Sequence, residues 1–149
     1  MSIGFKSWLQ NSKQGLTEQV KKFKNKDFMD AVVAGCAIVA AADGTIDSNE
    51  KQKMAGYMSR SEELKVFDMS DVIARFNHYV GNLEFDAMIG KQEALKSIAK
   101  FKGKPEIGRV IVGVCSAIGA ADGDFDDKEK AAVRDICNSL GLNPSEFSL

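Results

Sequence analysis

Sliding the chain by 79 residues lays residues 31–51 over residues 110–130, and nine of the twenty-one superposed positions are identical. The matches are Val33 with Val112, Cys36 with Cys115, Ala41 and Ala42 with Ala120 and Ala121, Asp43 and Gly44 with Asp122 and Gly123, Asp47 with Asp126, and Glu50 and Lys51 with Glu129 and Lys130. Self-similarity of this kind marks two copies of one supersecondary unit, neither of which buries its apolar face alone. In each copy a twelve-residue apolar run ends at Ala-Asp-Gly. An apolar residue follows, Ile46 or Phe125, then Asp47 or Asp126 with glutamate three positions on. Gly44 and Gly123 suit a left-handed helix stop, and the Asp-x-x-Glu spacing suits a capping box that opens the next helix. The repeat therefore predicts two helix–turn–helix units, about 27–58 and 106–140, related by a pseudo-two-fold axis with Cys36 and Cys115 beside it.

The rest of the chain also reads as helix. Ser61 to Phe67 suits a short turn. Asp68 or Ser70 can cap a helix carrying Val72, Phe76, Tyr79 and Val80, and another is expected from roughly Glu84 to Phe101 with Met88, Leu95, Ile98 and Phe101 inward. Gly103 closes it, Pro105 suits the first turn of the next helix, and Asn143-Pro144 can start a last short one. No stretch alternates convincingly enough to be a strand. The expected fold is an all-α, compact bundle of about seven to nine helices. A length of 149 residues suits one such core.

Charge is unevenly distributed. Residues 1–26 carry six lysines against one acid, Glu18, so a +5 arm precedes a body of −6 within a chain of net charge −1. We divide the chain into this basic amphipathic arm, 1–26, and a helical domain, 27–149. Phe5, Trp8, Leu9, Leu16, Val20 and Phe23 follow helical spacing among the arm's lysines. One reading docks that face on the body; the other lays it on an anionic membrane or acidic partner. The near-zero total argues against a nucleic-acid binder. No secretory signal is recognisable in the first residues, and the apolar runs 31–42 and 110–121 are too short to span a bilayer. Three cysteines without a Cys-x-x-Cys pair fit a reducing compartment, so a cytoplasmic location is expected.

The paired loops hold the strongest chemical signal. Asp43, Asp47 and Glu50 in one, and Asp122, Asp124, Asp126, Asp127 and Glu129 in the other, offer oxygen ligands suited to a hard cation such as Ca²⁺. Their spacing matches the second half of an EF-hand loop. Positions one and three would fall on apolar residues, Val39 and Ala41 or Ile118 and Ala120, so an ordinary EF-hand is excluded. Capping alone accounts for Asp47, Glu50, Asp126 and Glu129 without an ion. Asp43 and Asp122, however, sit near helix C-termini, where negative charge is disfavoured, and the second loop holds more carboxylates than capping needs. Catalytic signals are thin. His78 is the single histidine, which excludes multi-histidine zinc sites, and no phosphate-binding loop is present. Cys36 and Cys115 read as packing residues, and Cys137 reads as exposed but without an activating partner. A binding module is expected, not an enzyme.

The stretches FKNKDF (23–28), EKQKM (50–54), SEELKVFD (61–68) and FDAMIG (85–90), with the doubled Ala-Asp-Gly loops, resemble the TerB family of bacterial tellurite-resistance proteins, over essentially the whole chain. The resemblance implies an all-helical, internally two-fold fold and an acidic surface that binds divalent cations. The cation ligands it implies are Asp43, Asp47, Glu50, Asp122, Asp126 and Glu129, with Glu84 and Asp86 as contributors. It further implies a role in tellurite resistance and partner proteins of the same system, a membrane protein among them, at the inner face of the membrane. The competing expectation is a thiol-dependent enzyme that reduces tellurite through its cysteines.

Overall fold

Asn25 opens one of the two most buried helices among the described residues. Its side chain accepts a 2.7 Å hydrogen bond from the Phe28 N–H, satisfying one of the amides that a helix start leaves without a partner. The computed structural model describes Gly4, Trp8 and residues 15–42, 46–121 and 125–149. In it the chain forms α1 (Leu16–Phe23), α2 (Lys26–Ala40), α3 (Ser48–Arg60), α4 (Met69–Phe85), α5 (Ala87–Ala99), α6 (Pro105–Gly119) and α7 (Asp127–Leu140). Short 3₁₀ turns lie at Leu64–Val66 and Pro144–Phe147, and no strand occurs among the described residues.

The repeat survives in the element boundaries. A shift of 79 carries Lys26–Ala40 onto Pro105–Gly119, and Ser48–Arg60 onto Asp127–Leu140 less one residue. Each second helix is capped by its loop aspartate: Asp47 accepts from Glu50 N–H and Asp126 from Glu129 N–H, both at 2.8 Å. In the second unit the Glu129 side chain also accepts from Asp126 N–H at 3.1 Å, closing a full capping box.

The two long repeat helices, α2 and α6, pack on each other at the centre. Eleven residues of α2 are buried, from Phe28 to Val39, because the molecule wraps that helix on several sides. Small residues make the approach possible. A Cβ on Gly35 would overlap Cys115 Sγ, and one on Gly119 would stand 2.8 Å from Val39 Cγ1 and 2.9 Å from Phe125 Cε1. The outer layers differ between the halves. The α4–α5 pair covers α2, while α1 covers α6 through buried Leu16 and Val20. At this part of the basic arm the apolar face thus docks on the body; Phe5 and Leu9 lie outside the described residues.

Two burial assignments need correction. Met88 is 73% exposed, and the helix expected from Glu84 is interrupted at Asp86. Asp86 ends α4 and caps α5, whose buried face runs through Gly90, Ala94 and Ile98; Met88, in the first turn, lies well off that face. Cys137, expected at the surface, is fully buried on the inner face of α7 beside Ile136 and Val133.

Gly35→Ala should lower stability by about 1–3 kcal/mol through overpacking against Cys115. Gly81→Ala, in α4 with nothing within 4 Å of the added carbon, should raise it by about 0.5–1 kcal/mol. Urea unfolding measures both, and a neutral Gly35→Ala would mean that α2 and α6 do not meet at this point.

Candidate functional site

The close crossing of α2 and α6 brings their C-terminal ends together. A cavity of about 220 Å³ opens there, lined by Val39, Ala40 and Ala42 from the first unit and Gly119 from the second. Around its mouth stand Glu50, Asp126 and Glu129, with Lys53, Met54 and Tyr57 along the α3 side. Carboxylates from both repeats thus line one opening. Glu50 and Glu129, which the repeat equates, are both partly buried, and their capping partners Asp47 and Asp126 are both exposed.

Electrostatics favour positive charge at this mouth. Each helix carries about half a negative elementary charge at its C-terminus, and the ends of both α2 and α6, Ala40 and Gly119, lie on the cavity wall. Three acidic side chains add to these, with Lys53 the basic residue among the described lining. The capping hydrogen bonds of Asp47 and Asp126 use Oδ1 of each. A carboxylate has a second oxygen, so capping and cation binding do not compete for the same atom.

Of the six residues expected to bind a cation, Glu50, Asp126 and Glu129 are brought to this cavity. Asp47 caps the neighbouring helix, and Asp43 and Asp122 lie outside the described residues, as does Asp124. Among the described residues no three His, Cys, Asp or Glu side chains gather tightly enough to hold an ion. Glu84 and Asp86 do not line this cavity. Glu84 pairs with Lys51 at 3.1 Å, and Asp86 caps α5 by accepting from Ile89 N–H at 3.0 Å.

The cysteines form a second group, deep in the core. Cys36, Cys115 and Cys137 are all buried free thiols. Cys115 donates to the Val32 carbonyl at 3.4 Å. Hydrogen bonding with Cys36, followed by burial, pushes the Cys115 thiol well above the usual range. Burial, with the Glu146 charge second, pushes Cys137 up to about 12. At neutral pH both hold their protons, and a protonated thiol is a poor nucleophile and metal ligand. His78 is exposed on α4, within 3.4 Å of Asn82.

The family model described as "Tellurite resistance protein TerB" matches residues 29–149. A protein of Alcaligenes sp. named "Tellurium resistance protein TerB" is 46% identical over 112 residues, covering 74% of this chain and 92% of the relative. No solved structure matches the chain.

The raised thiols set a pH dependence. A proton held more tightly in the folded state stabilises fully below the unfolded thiol's pKa of about 8.5. That contribution disappears as pH rises toward the folded value, about 12 for Cys137. Stability should therefore fall above about pH 8.5, and Cys137→Ala should flatten the slope. A thiol probe should label the native protein far more slowly than the unfolded chain. Rapid native labelling of Cys36 or Cys115 would contradict the burial described.

Proposed function

We propose that this chain, which belongs to the TerB family of tellurite-resistance proteins, is a divalent-cation-binding module whose two acidic loops act together on Ca²⁺ or a similar hard ion. The observation that carries the reading is the shared cavity, where Glu50 from one repeat faces Asp126 and Glu129 from the other at the negative ends of α2 and α6. Carboxylate oxygens are the donor type that Ca²⁺ prefers. Asp43 and Asp122 complete the donor set in this proposal. The same carboxylates set the helix starts, so binding the ion stiffens a turn that already exists. Half the ligands of a full EF-hand loop are lacking, which puts the affinity on the order of 10⁻⁵ to 10⁻³ M.

The reading extends to docking on proteins of the same resistance system, a membrane protein among them, at the cytoplasmic face of the membrane. Lys21, Lys24 and Lys65 line a depression beside α1 together with Glu62, which pairs with Lys65, and the lysine excess there suits an acidic partner or anionic lipid. No helix among the described residues is long and apolar enough to cross a membrane. Vesicles of anionic lipid should retain the chain at low salt and release the double variant Lys21→Glu, Lys24→Glu. Equal retention of both would remove the lipid part of this reading. A thiol-reductase role is the less favoured reading, because the thiols are buried and Cys115 and Cys137 stay protonated.

Ca²⁺ should raise the thermal midpoint, since a ligand of the folded state stabilises by about 2.7 kcal/mol at a hundred times its dissociation constant. Asp47→Asn together with Asp126→Asn keeps a capping oxygen at each helix start while removing both charges. This double variant should fold and lose most of the Ca²⁺ shift. A full shift in the variant, or none in the wild-type chain, would remove the cation reading.

A further inference from the structure

The α4–α5 corner presents three large apolar side chains to solvent. Phe85 is 91% exposed, Met88 73% and Ile89 56%, and they stand within five residues of one another. The turn itself does not require them. Asp86 is needed to cap α5, and Gly90 is needed because a Cβ there would lie 2.6 Å from the Leu83 backbone nitrogen. Phe85, Met88 and Ile89 have no such duty, and a concentrated apolar patch marks an interaction surface more often than an accident of composition.

Beside this corner lies the largest cavity described, an open groove of about 580 Å³. Its floor includes Ile38 and Leu83, and its walls include Ala42 after α2, Ala87 on α5, and Ala131 and Ala132 on α7. Two ion pairs join the surrounding elements, Lys91 to Asp135 at 2.6 Å between α5 and α7, and Lys51 to Glu84 at 3.1 Å between α3 and α4. Both pairs are partly exposed and bridge the elements around the groove.

We propose that corner and groove together form a self-complementary face through which two copies of this chain associate about a two-fold axis. Knob and hole alternate along one short segment. Leu83, Glu84 and Ala87 line the groove, while Phe85, Met88 and Ile89 project beside it. A two-fold contact needs one patch that carries both shapes, because residue i of each copy meets residue j of the other. An axis through this segment places each corner over the opposite groove. Charge points the same way. The rim mixes Lys91 and Lys128 with Glu84 and Asp135, so a strongly acidic or basic partner meets repulsion on half of it. A second copy brings the same mixture rotated, and the net charge of −1 opposes association little. An aromatic side chain buries about 150–250 Å². Three knobs and the walls they meet approach the lower end of the roughly 800 Å² per partner of a stable interface. The dimer is therefore reversible and concentration-dependent.

Sedimentation of the full chain from about 1 µM to about 1 mM tests this. The weight-average mass should climb from the 16.2 kDa of the monomer toward twice that value. Phe85→Glu removes the knob, and Ala131→Trp blocks the hole. Each lies at an exposed position, and each should raise the dissociation constant at least about ten-fold without loss of helical circular dichroism. An equimolar mixture of the two variants should associate more tightly than either alone, since it pairs one intact knob with one intact hole. A wild-type chain that stays monomeric throughout would overturn the proposal and leave the face to a partner of different sequence. A dimer indifferent to both substitutions would place the interface elsewhere. Unfolding of one variant leaves the other to decide.

Discussion

The contact between α2 and α6 at Gly35 and Cys115 governs much of the rest. Two helices related by the internal repeat cross so closely that neither position accepts a larger side chain without repacking. A dense interior has no room for the extra atoms. Because the contact lies partway along both helices, their C-terminal ends also stay together, at Val39 and Gly119. The loops that follow inherit this proximity. Convergence of the acidic residues is thus a consequence of core packing between glycine, cysteine and valine, which contain no charge at all.

That convergence has an electrostatic cost which the sequence compensates in two ways. Asp47 and Asp126 are placed at helix starts, where exposed amides and the positive end of the dipole welcome a carboxylate. Glu50 and Glu129 then turn toward the shared cavity, partly out of water, against the negative ends of α2 and α6. Lys53 offsets part of this charge from the α3 side. A divalent cation is the natural complement to what remains. On α1 the lysines are partly offset in the same way, with Lys22 held by Glu106 at 2.9 Å and Lys21 by Glu18 at 3.3 Å.

Much of this was legible in the residues. The 79-residue repeat anticipates the starts of three of its four helices, because Pro105, Asp47 and Asp126 are local signals whose physics does not depend on distant contacts, while the Asn25 cap went unread. Asp68 was readable as a cap for the same reason, and it accepts from Ser70 N–H at 2.9 Å. What local pattern could not supply was orientation. Met88 shares a stripe with half-buried Leu95, but the face of α5 that packing selects runs through Gly90, Ala94 and Ile98. Cys137 looked like a surface residue because α7 is rich in charge, yet its neighbours Ile136 and Val133 share the buried face. The groove beside Phe85 has no sequence signature, since its walls come from four separate helices. Pairing of Glu50 with Glu129 around one cavity was implicit in the repeat, but required the α2–α6 crossing to become a distance.

The claim that the two loops form one cation-binding mouth is most directly tested by a Ca²⁺ titration followed through backbone amide resonances of the full chain. The account predicts that the amides of Asp47 to Glu50 and of Asp126 to Glu129 shift together along a single binding curve. Movement of one loop alone, or two curves with separate midpoints, would contradict it.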